Sequence, residues 1–270
     1  MGSSKSRTAL VTGASAGIGA ELARLFAADK HDVILVARRR DRLDTLAADL
    51  ARAHGVKAHV IAADLGTAGG ADLVVAEVAR LGLEVDFLVN NAGFGAVGGF
   101  ADLDAARELE MVQVNVTTLV ALTRALLPAM IARGSGRVLN IGSTAGFVAG
   151  PFMAIYYASK AFVNSFTEAL SFELKGTGVT ATVSCPGATV TEFGAVAGND
   201  ASRLFRMGAA SAGEVAREAY RAMHAGQPMI IHGLKNRFAM WTTRFAPRVM
   251  LRALAAQLNH VPGAQKNLPR

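Results

Sequence analysis

The stretch Thr8-Ala9-Leu10-Val11-Thr12-Gly13-Ala14-Ser15-Ala16-Gly17-Ile18-Gly19 decides how this chain is read. Residues Thr8–Thr12 are apolar or β-branched without polar alternation, the pattern of a strand covered on both faces. Three glycines follow where the strand gives way to a helix. Glycine lets the backbone turn sharply and approach a ligand closely. The next segment, Ile18–Ala28, puts Leu22, Leu25 and Phe26 on one helical face. A helix N-terminus at that point offers unpaired N–H groups and a partial positive charge to a phosphate. A glycine cluster alone would mean no more than a turn. With an apolar strand before it and an amphipathic helix after it, the cluster reads as a dinucleotide-binding loop, in the spacing G-x-x-x-G-x-G.

Outward from this loop the same alternation repeats. Val33–Ala37, Ala58–Ala62, Phe87–Asn90, Arg137–Ile141, Val179–Ser184 and Met229–His232 read as further strands. Arg42–Ala53 carries Leu43, Leu46 and Leu50 at helical spacing, with Asp41 placed to cap it. Longer helices are expected over Ala105–Ala132 and Ala154–Lys175. Strand and helix in alternation imply an α/β fold: a doubly wound Rossmann-type parallel seven-stranded sheet with helices on both faces, in a single domain. Residues 1–233 are expected to form the catalytic domain, and 234–270 a basic amphipathic helical appendage of that domain.

Composition narrows the class further. Of 270 residues, 51% are hydrophobic, enough for a large core and too many for global disorder. Cys185 is the single cysteine, so no disulfide framework exists within the chain. Its place before Pro186-Gly187 suggests a small buried hydrophobe rather than a nucleophile. Met1–Arg7 is polar, without a signal-peptide core, and no uninterrupted apolar run reaches the roughly 18 residues of a membrane span. A soluble, cytoplasmic protein with no nucleic-acid partner is expected. The net charge is +7, but no acidic residue follows Glu218, and the segment after it carries +8. The body of the chain is therefore nearly neutral at −1, and the basicity belongs to the C-terminal segment.

From Arg7 to about Gly233 the chain resembles the short-chain dehydrogenase/reductase family in its typical, NADP-preferring form. The glycine loop, Asn90-Asn91-Ala92-Gly93, Asn115 in a V-N-V setting, Ser143 after the fifth strand, Tyr156-Tyr157-Ala158-Ser159-Lys160 and Pro186-Gly187 with Thr191 carry the resemblance, in that order. The resemblance implies a catalytic set of Asn115, Ser143, Tyr156 and Lys160. It implies a cofactor site built from Gly13, Ser15, Ala16, Gly17, Ile18, Gly19, Arg38, Arg39, Asp64, Leu65, Asn91, Ala92, Gly93, Pro186, Gly187, Thr189 and Thr191, with Tyr156 and Lys160 shared. It also implies a homodimer or homotetramer joined through the two long helices.

The residue after the second strand selects between nicotinamide cofactors. An acid there would hold the adenosine ribose and repel a 2′-phosphate. This chain has Ala37-Arg38-Arg39-Arg40, and arginine presents a planar fork of donors to phosphate. NADP(H) is expected over NAD(H), through Arg38 with Arg39 or Ser15 as helpers, while Arg40 reads as a solvated turn residue. Tyr156 and Lys160 stand four apart and share a helix face. A free phenol titrates near 10, too high for neutral acid–base work, and a neighbouring ammonium is expected to lower it. Ser143 would hold the substrate oxygen. Asn115 would anchor a water linking Lys160 to solvent. Tyr157, three from Lys160, is not the matching tyrosine. The site is not expected to hold a metal.

Phe94, Phe147, Val148, Phe152, Met153 and Phe193 are candidate pocket walls and suggest a hydrophobic ketone or alcohol. Thr191–Met207 has the mixed character of a lid. In Lys235–Leu258, Phe238, Trp241 and Phe245 share helical spacing, Pro247 opens a second piece, and Arg244, Arg248 and Arg252 accompany them. That segment either packs on the domain or a sister subunit, or touches an anionic membrane or an acidic partner. Two rival functions stay open: a 3-ketoacyl reductase fed by a carrier- or CoA-linked thioester, and a silent NADP(H)-sensing binding protein.

Overall fold

A computed structural model describes residues 6–198 and 209–260. Seven parallel strands lie in the order β3-β2-β1-β4-β5-β6-β9. They are β1 Thr8–Thr12, β2 Asp32–Ala37, β3 Ala58–Ala62, β4 Phe87–Asn90, β5 Gly136–Ile141, β6 Val179–Cys185 and β9 Met229–Ile231, with the short ladder of β7 Thr189–Val190 and β8 Ala210–Ser211 beside the sheet. Each strand of the sheet matches an expected one to within a residue or so at its ends. Side chains of β1 alternate between the two faces. Ala9 and Val11 join one core with Leu22, Phe26, Leu43 and Met223, while Leu10 joins the other with Val74, Leu88, Leu122 and Val138. Both faces are therefore dry, which is why these strands read as continuous apolar runs.

Helices α1 Gly17–Ala28, α2 Arg40–His54 and α8 Ala212–His224 cover the first face. Helices α3 Gly70–Arg80, α5 Leu119–Ala132 and α6 Ala154–Glu173 cover the second. Helix α8 begins with a full capping box, Ser211 with Glu214. Helix α2 departs from the expected start. It begins at Arg40, so Arg39 takes the cap position without a side-chain bond and Asp41 lies inside the first turn. There its carboxylate faces the positive end of the helix instead of capping it.

The long helix expected over Ala105–Ala132 is one axis with an altered middle. Helix α4 Ala105–Val112 runs through a π-helical segment, Gln113–Thr118, into α5. This 28-residue run is long and apolar enough to cross a membrane. Met111, Leu122 and Met130 of this run are fully buried in the fold, while Leu109 and Ile131 are exposed. Beyond α7 Glu192–Ala197, the C-terminal segment forms α9 Leu234–Thr242 and α10 Arg248–Leu258. Pro247 sits at the cap of α10, as its sequence position suggests. Cys185 is buried, and burial pushes its thiol up to about 12.

Strand order reverses between β1 and β4, which are neighbours in the sheet although β2 and β3 separate them in the chain. The crossovers on either side of this point leave in opposite directions, and a crevice opens at the carboxyl ends of the strands.

Candidate active site

The floor of the crevice is a clasp between two turns. The Thr12 hydroxyl donates to Val89 O (3.2 Å) and accepts from the N–H groups of Asn91 (2.9 Å) and Ala92 (3.0 Å). The Asn91 amide donates back to Thr12 O at 2.8 Å. No side chain fits into this clasp. A Cβ on Gly13 would stand 2.7 Å from Asn91 Nδ2, at a left-handed φ of +65°, and one on Gly19 only 2.4 Å from Gly13 O. Helix α1 starts at Gly17, and Ala16 provides no side-chain cap. The first-turn N–H groups are thus left for an anion. A glycine cradle over an uncapped helix start fits a dinucleotide pyrophosphate.

At one end of the crevice Ser15 and Arg39 meet. Arg39 donates to Ser15 Oγ through Nη2 (2.9 Å) and Nε (3.3 Å), and pairs with Glu192 at 2.8 Å. Arg42 pairs with the same carboxylate. Hydrogen bonds from Arg39 and Arg42 hold Glu192 below the ordinary carboxylate range. Arg38 lies apart from this group, 64% exposed, on Glu110 at 3.2 Å. Arg40 points to Asp44, well exposed.

The Tyr156–Lys160 face of α6 closes the other end. Lys160 Nζ donates to Ile141 O (2.7 Å) and sits 5.9 Å from the centre of the Tyr156 ring. The Ser143 hydroxyl is held by Ala145 N (3.0 Å) and reaches Pro186 O (3.4 Å), which joins the β5 and β6 loops. The phenol of Tyr156 faces the cavity, yet protein packs densely around it. That burial pushes its pKa up to about 12, and a hydrogen bond with Ser143 offsets only part of the rise. The expected lowering by Lys160 is therefore not what the protein groups produce. Burial dominates, and it also drives Lys160 down to about 8.

Asn115 lies in the π-helical segment and is 2% exposed. Its amide donates to Phe94 O (3.0 Å) and Ser159 Oγ (3.0 Å), and its Oδ1 accepts from Phe94 N (3.1 Å). The side chain is spent on tying the loop after Gly93 to α6. One strand further in, Asn90 Nδ2 donates to Asn140 Oδ1, and Asn140 Nδ2 to Thr167 Oγ1, both at 2.9 Å, which holds β4, β5 and α6 in register.

One cavity of about 720 Å³ gathers nearly every candidate residue. Gly13, Ser15, Ala16, Gly17, Ile18, Arg38, Arg39, Asp64, Leu65, Asn91, Ala92, Gly93, Ser143, Tyr156, Lys160, Pro186, Gly187, Thr189 and Thr191 all line it. Gly19 and Asn115 stand just behind the lining and shape it. Of the candidate walls, Phe94, Val148, Met153 and Phe193 face the cavity. Phe147 does not, because it packs on Val163 and Val183, and neither does Phe152, whose φ is +66°. In the candidate lid, Thr191–Gly198 is described and contains α7, whereas 199–207 lie outside the described residues.

Sequence reasoning missed the far wall. Met240 of α9 and Leu251, Leu254, Ala255 and Leu258 of α10 line the same cavity. A buried clasp holds α10 there: the Tyr157 hydroxyl donates to Asn259 Oδ1 (2.9 Å), and Asn259 Nδ2 donates to Pro151 O (2.9 Å). The amphipathic tail was a visible signal for the wall. Nothing in the sequence pointed to Asn259.

Comparison with known proteins gives this architecture its place. The sequence profile described as short chain dehydrogenase matches residues 7–202. The chain belongs to the short-chain dehydrogenase family. Among its relatives, a short chain dehydrogenase of Pseudocercospora fijiensis is 39% identical over 197 residues, covering 72% of this chain and 63% of that one. The ketoacyl reductase HetN of a Nostoc species is 38% identical over 181 residues, covering 67% of this chain and 63% of the reductase. The chain thus spans slightly under two thirds of these relatives. A short-chain dehydrogenase from Sphingobium yanoikuyae, solved in complex with NADPH, superposes with a TM-score of 0.78 at 34% identity, over 88% of this chain and 93% of that one.

Proposed function

We propose that this short-chain dehydrogenase moves a hydride reversibly between NADP(H) and the carbonyl or secondary alcohol of an apolar small molecule. The observation that carries the proposal is the meeting of Tyr156, Ser143 and Lys160 with the glycine loop in one cavity whose far end is apolar. NADPH, when bound, supplies the hydride. The pyrophosphate would rest on the cradle of Gly13, Gly17 and Gly19, and the 2′-phosphate on Ser15, Arg39 and Arg38. No acid follows β2 to select NAD(H). Support also comes from the NADPH complex of the Sphingobium relative.

Ser143 orients the substrate oxygen toward Tyr156 Oη. With its pKa near 12, Tyr156 carries its proton at neutral pH and is ready to donate it to a developing alkoxide. Lys160, lowered to about 8, is charged at neutral pH yet gives up a proton readily. Asn115 fixes the Phe94 backbone and Ser159, and so the distance between the loop and α6.

Phe94, Met153, Phe193, Leu251 and Leu254 favour a bulky apolar substrate over a small polar one. Residues 1–233 would form the catalytic domain, with α9 and α10 completing the substrate side. A homo-oligomer through the long helices fits the exposed Leu109 and Ile131 of α4–α5 and Phe162 and Phe172 of α6. A 3-ketoacyl reductase is the second reading, favoured by the similarity to the Nostoc reductase. NADPH oxidation over a panel of aliphatic, aromatic and steroid ketones and of 3-ketoacyl thioesters tests both. Turnover of free bulky ketones supports the first reading, and turnover confined to thioesters supports the second. Tight NADPH binding without turnover on any of them would sink both and leave a cofactor sensor.

A further inference from the structure

The rim of the cavity differs from the rest of the surface. Phe238, Trp241, Phe245, Val249, Met250 and Leu254 of the α9–α10 region are between 53% and 72% exposed. Three of them form a continuous aromatic strip. The Phe238 and Trp241 rings lie 6.1 Å apart and stacked, and Trp241 meets Phe245 at 5.1 Å. Lys235, Arg237, Arg244, Arg248 and Arg252 lie exposed in the same segment, and no acidic residue occurs after Glu218. Among the described residues, the ion pairs all lie elsewhere. The same two helices reach the cavity: Leu254 is half exposed and also lines it, with Met240 and Leu251.

We infer that α9 and α10 seat this protein on an anionic lipid surface, with the aromatic strip among the acyl chains and the cations against the headgroups. A helix pair with tryptophan and phenylalanine on one side and unpaired cations beside them has the character of an interfacial anchor. A second copy of this chain fits the patch less well. A two-fold contact would set each basic patch against itself, and like charges across an interface are repulsive. Resting on the proposed carbonyl chemistry, a further consequence follows. An apolar substrate leaving the bilayer passes Leu254 into the cavity without crossing water, which suits a catalytic chamber whose mouth faces the lipid.

The test uses the full chain and sedimentation with phosphatidylcholine vesicles, with and without phosphatidylserine. The protein should pellet only with the anionic vesicles, and less so as salt is raised. Each cation near the surface contributes about fivefold in partitioning, so Arg237→Glu with Arg244→Glu should cut binding by at least about 20-fold. Trp241→Ser with Phe245→Ser should cut it by at least about tenfold through lost apolar burial. Intact NADPH binding by both double variants keeps folding out of the comparison. With a ketone dissolved in the vesicles, the same variants should raise KM and leave kcat unchanged. Failure to pellet with anionic vesicles overturns the proposal. Pelleting that the variants leave unchanged overturns it too, as does a wild-type dimer that the variants convert to monomer without any vesicle binding. Vesicle binding is read without turnover, so a protein that pellets but reduces no carbonyl refutes the catalytic reading alone.

Discussion

Asn259→Ala should loosen the substrate wall without touching the catalytic groups. Asn259 is 2% exposed and makes two 2.9 Å hydrogen bonds, one from the Tyr157 hydroxyl and one to Pro151 O. Each is worth about 1 kcal/mol net, and a buried hydroxyl left unpaired costs a further ~1–3 kcal/mol. The change thus removes roughly 3–5 kcal/mol from the docking of α10. Helix α10 has little else to hold it, since Ala255 is its one buried residue. An undocked α10 takes Leu251, Leu254 and Leu258 out of the wall. If only a tenth of the molecules keep the wall, KM for a bulky ketone rises about tenfold, because apparent affinity scales with the competent fraction. The kcat on a small ketone should stay near wild type. The melting temperature should hardly move, because the loss is local. Steady-state kinetics on one small and one bulky ketone reads the split. Tyr157→Phe combined with Asn259→Leu should recover most of the lost KM, because that pair leaves no buried hydroxyl without a partner. A bulky-ketone KM within twofold of wild type in Asn259→Ala would refute the reasoning.

Tyr156→Phe should lower kcat by about 10²–10⁴-fold with NADPH affinity retained, since only the proton donor is lost; fluorescence titration with NADPH checks the second half. Arg39→Ala should raise KM for NADPH by at least about tenfold while leaving NADH unchanged, because charge-assisted bonds to a phosphate are worth roughly 1.5–3 kcal/mol; equal effects on both cofactors would clear Arg39 of phosphate recognition. Lys160 gives a pH signature. Its folded value of about 8 lies below the ordinary 10.5, so between those values the unfolded chain binds more protons and the Lys160 contribution to stability rises with pH. The stability of Lys160→Met relative to wild type, measured by urea titration, should therefore decline from pH 8 toward pH 10, by about 2 kcal/mol. A pH-independent difference would mean that Lys160 is not desolvated as described.

The order of elements was legible because both faces of the sheet are covered. Strands of that kind appear as unbroken apolar runs, and the helices between them keep their own spacing. Helix α2 was off by two residues at its start because Asp41 satisfies the sequence pattern of a cap equally well from inside the first turn. The π-helical turn around Asn115 had no signal, since it arises from packing between the loop at Phe94 and α6 rather than from local preference. Phe147 and Phe152 were misplaced for a related reason. Standing next to a motif in the chain does not set the direction in which a side chain points.

By itself the sequence determined the glycine loop between β1 and α1, the strand alternation and the Tyr156–Lys160 spacing. Each of these is encoded in short-range spacing, where backbone geometry leaves few choices. Only the tertiary structure decided what depends on residues far apart in the chain. It brought Glu192 onto Arg39 and Arg42, and Asn259 onto Tyr157. It made the C-terminal helices a wall of the cavity rather than a loose tail. It also set the proton chemistry of the pair that the sequence had singled out. Spacing put Tyr156 and Lys160 on one helix face, but burial is a property of the whole assembly, and burial is what raises the phenol and lowers the amine.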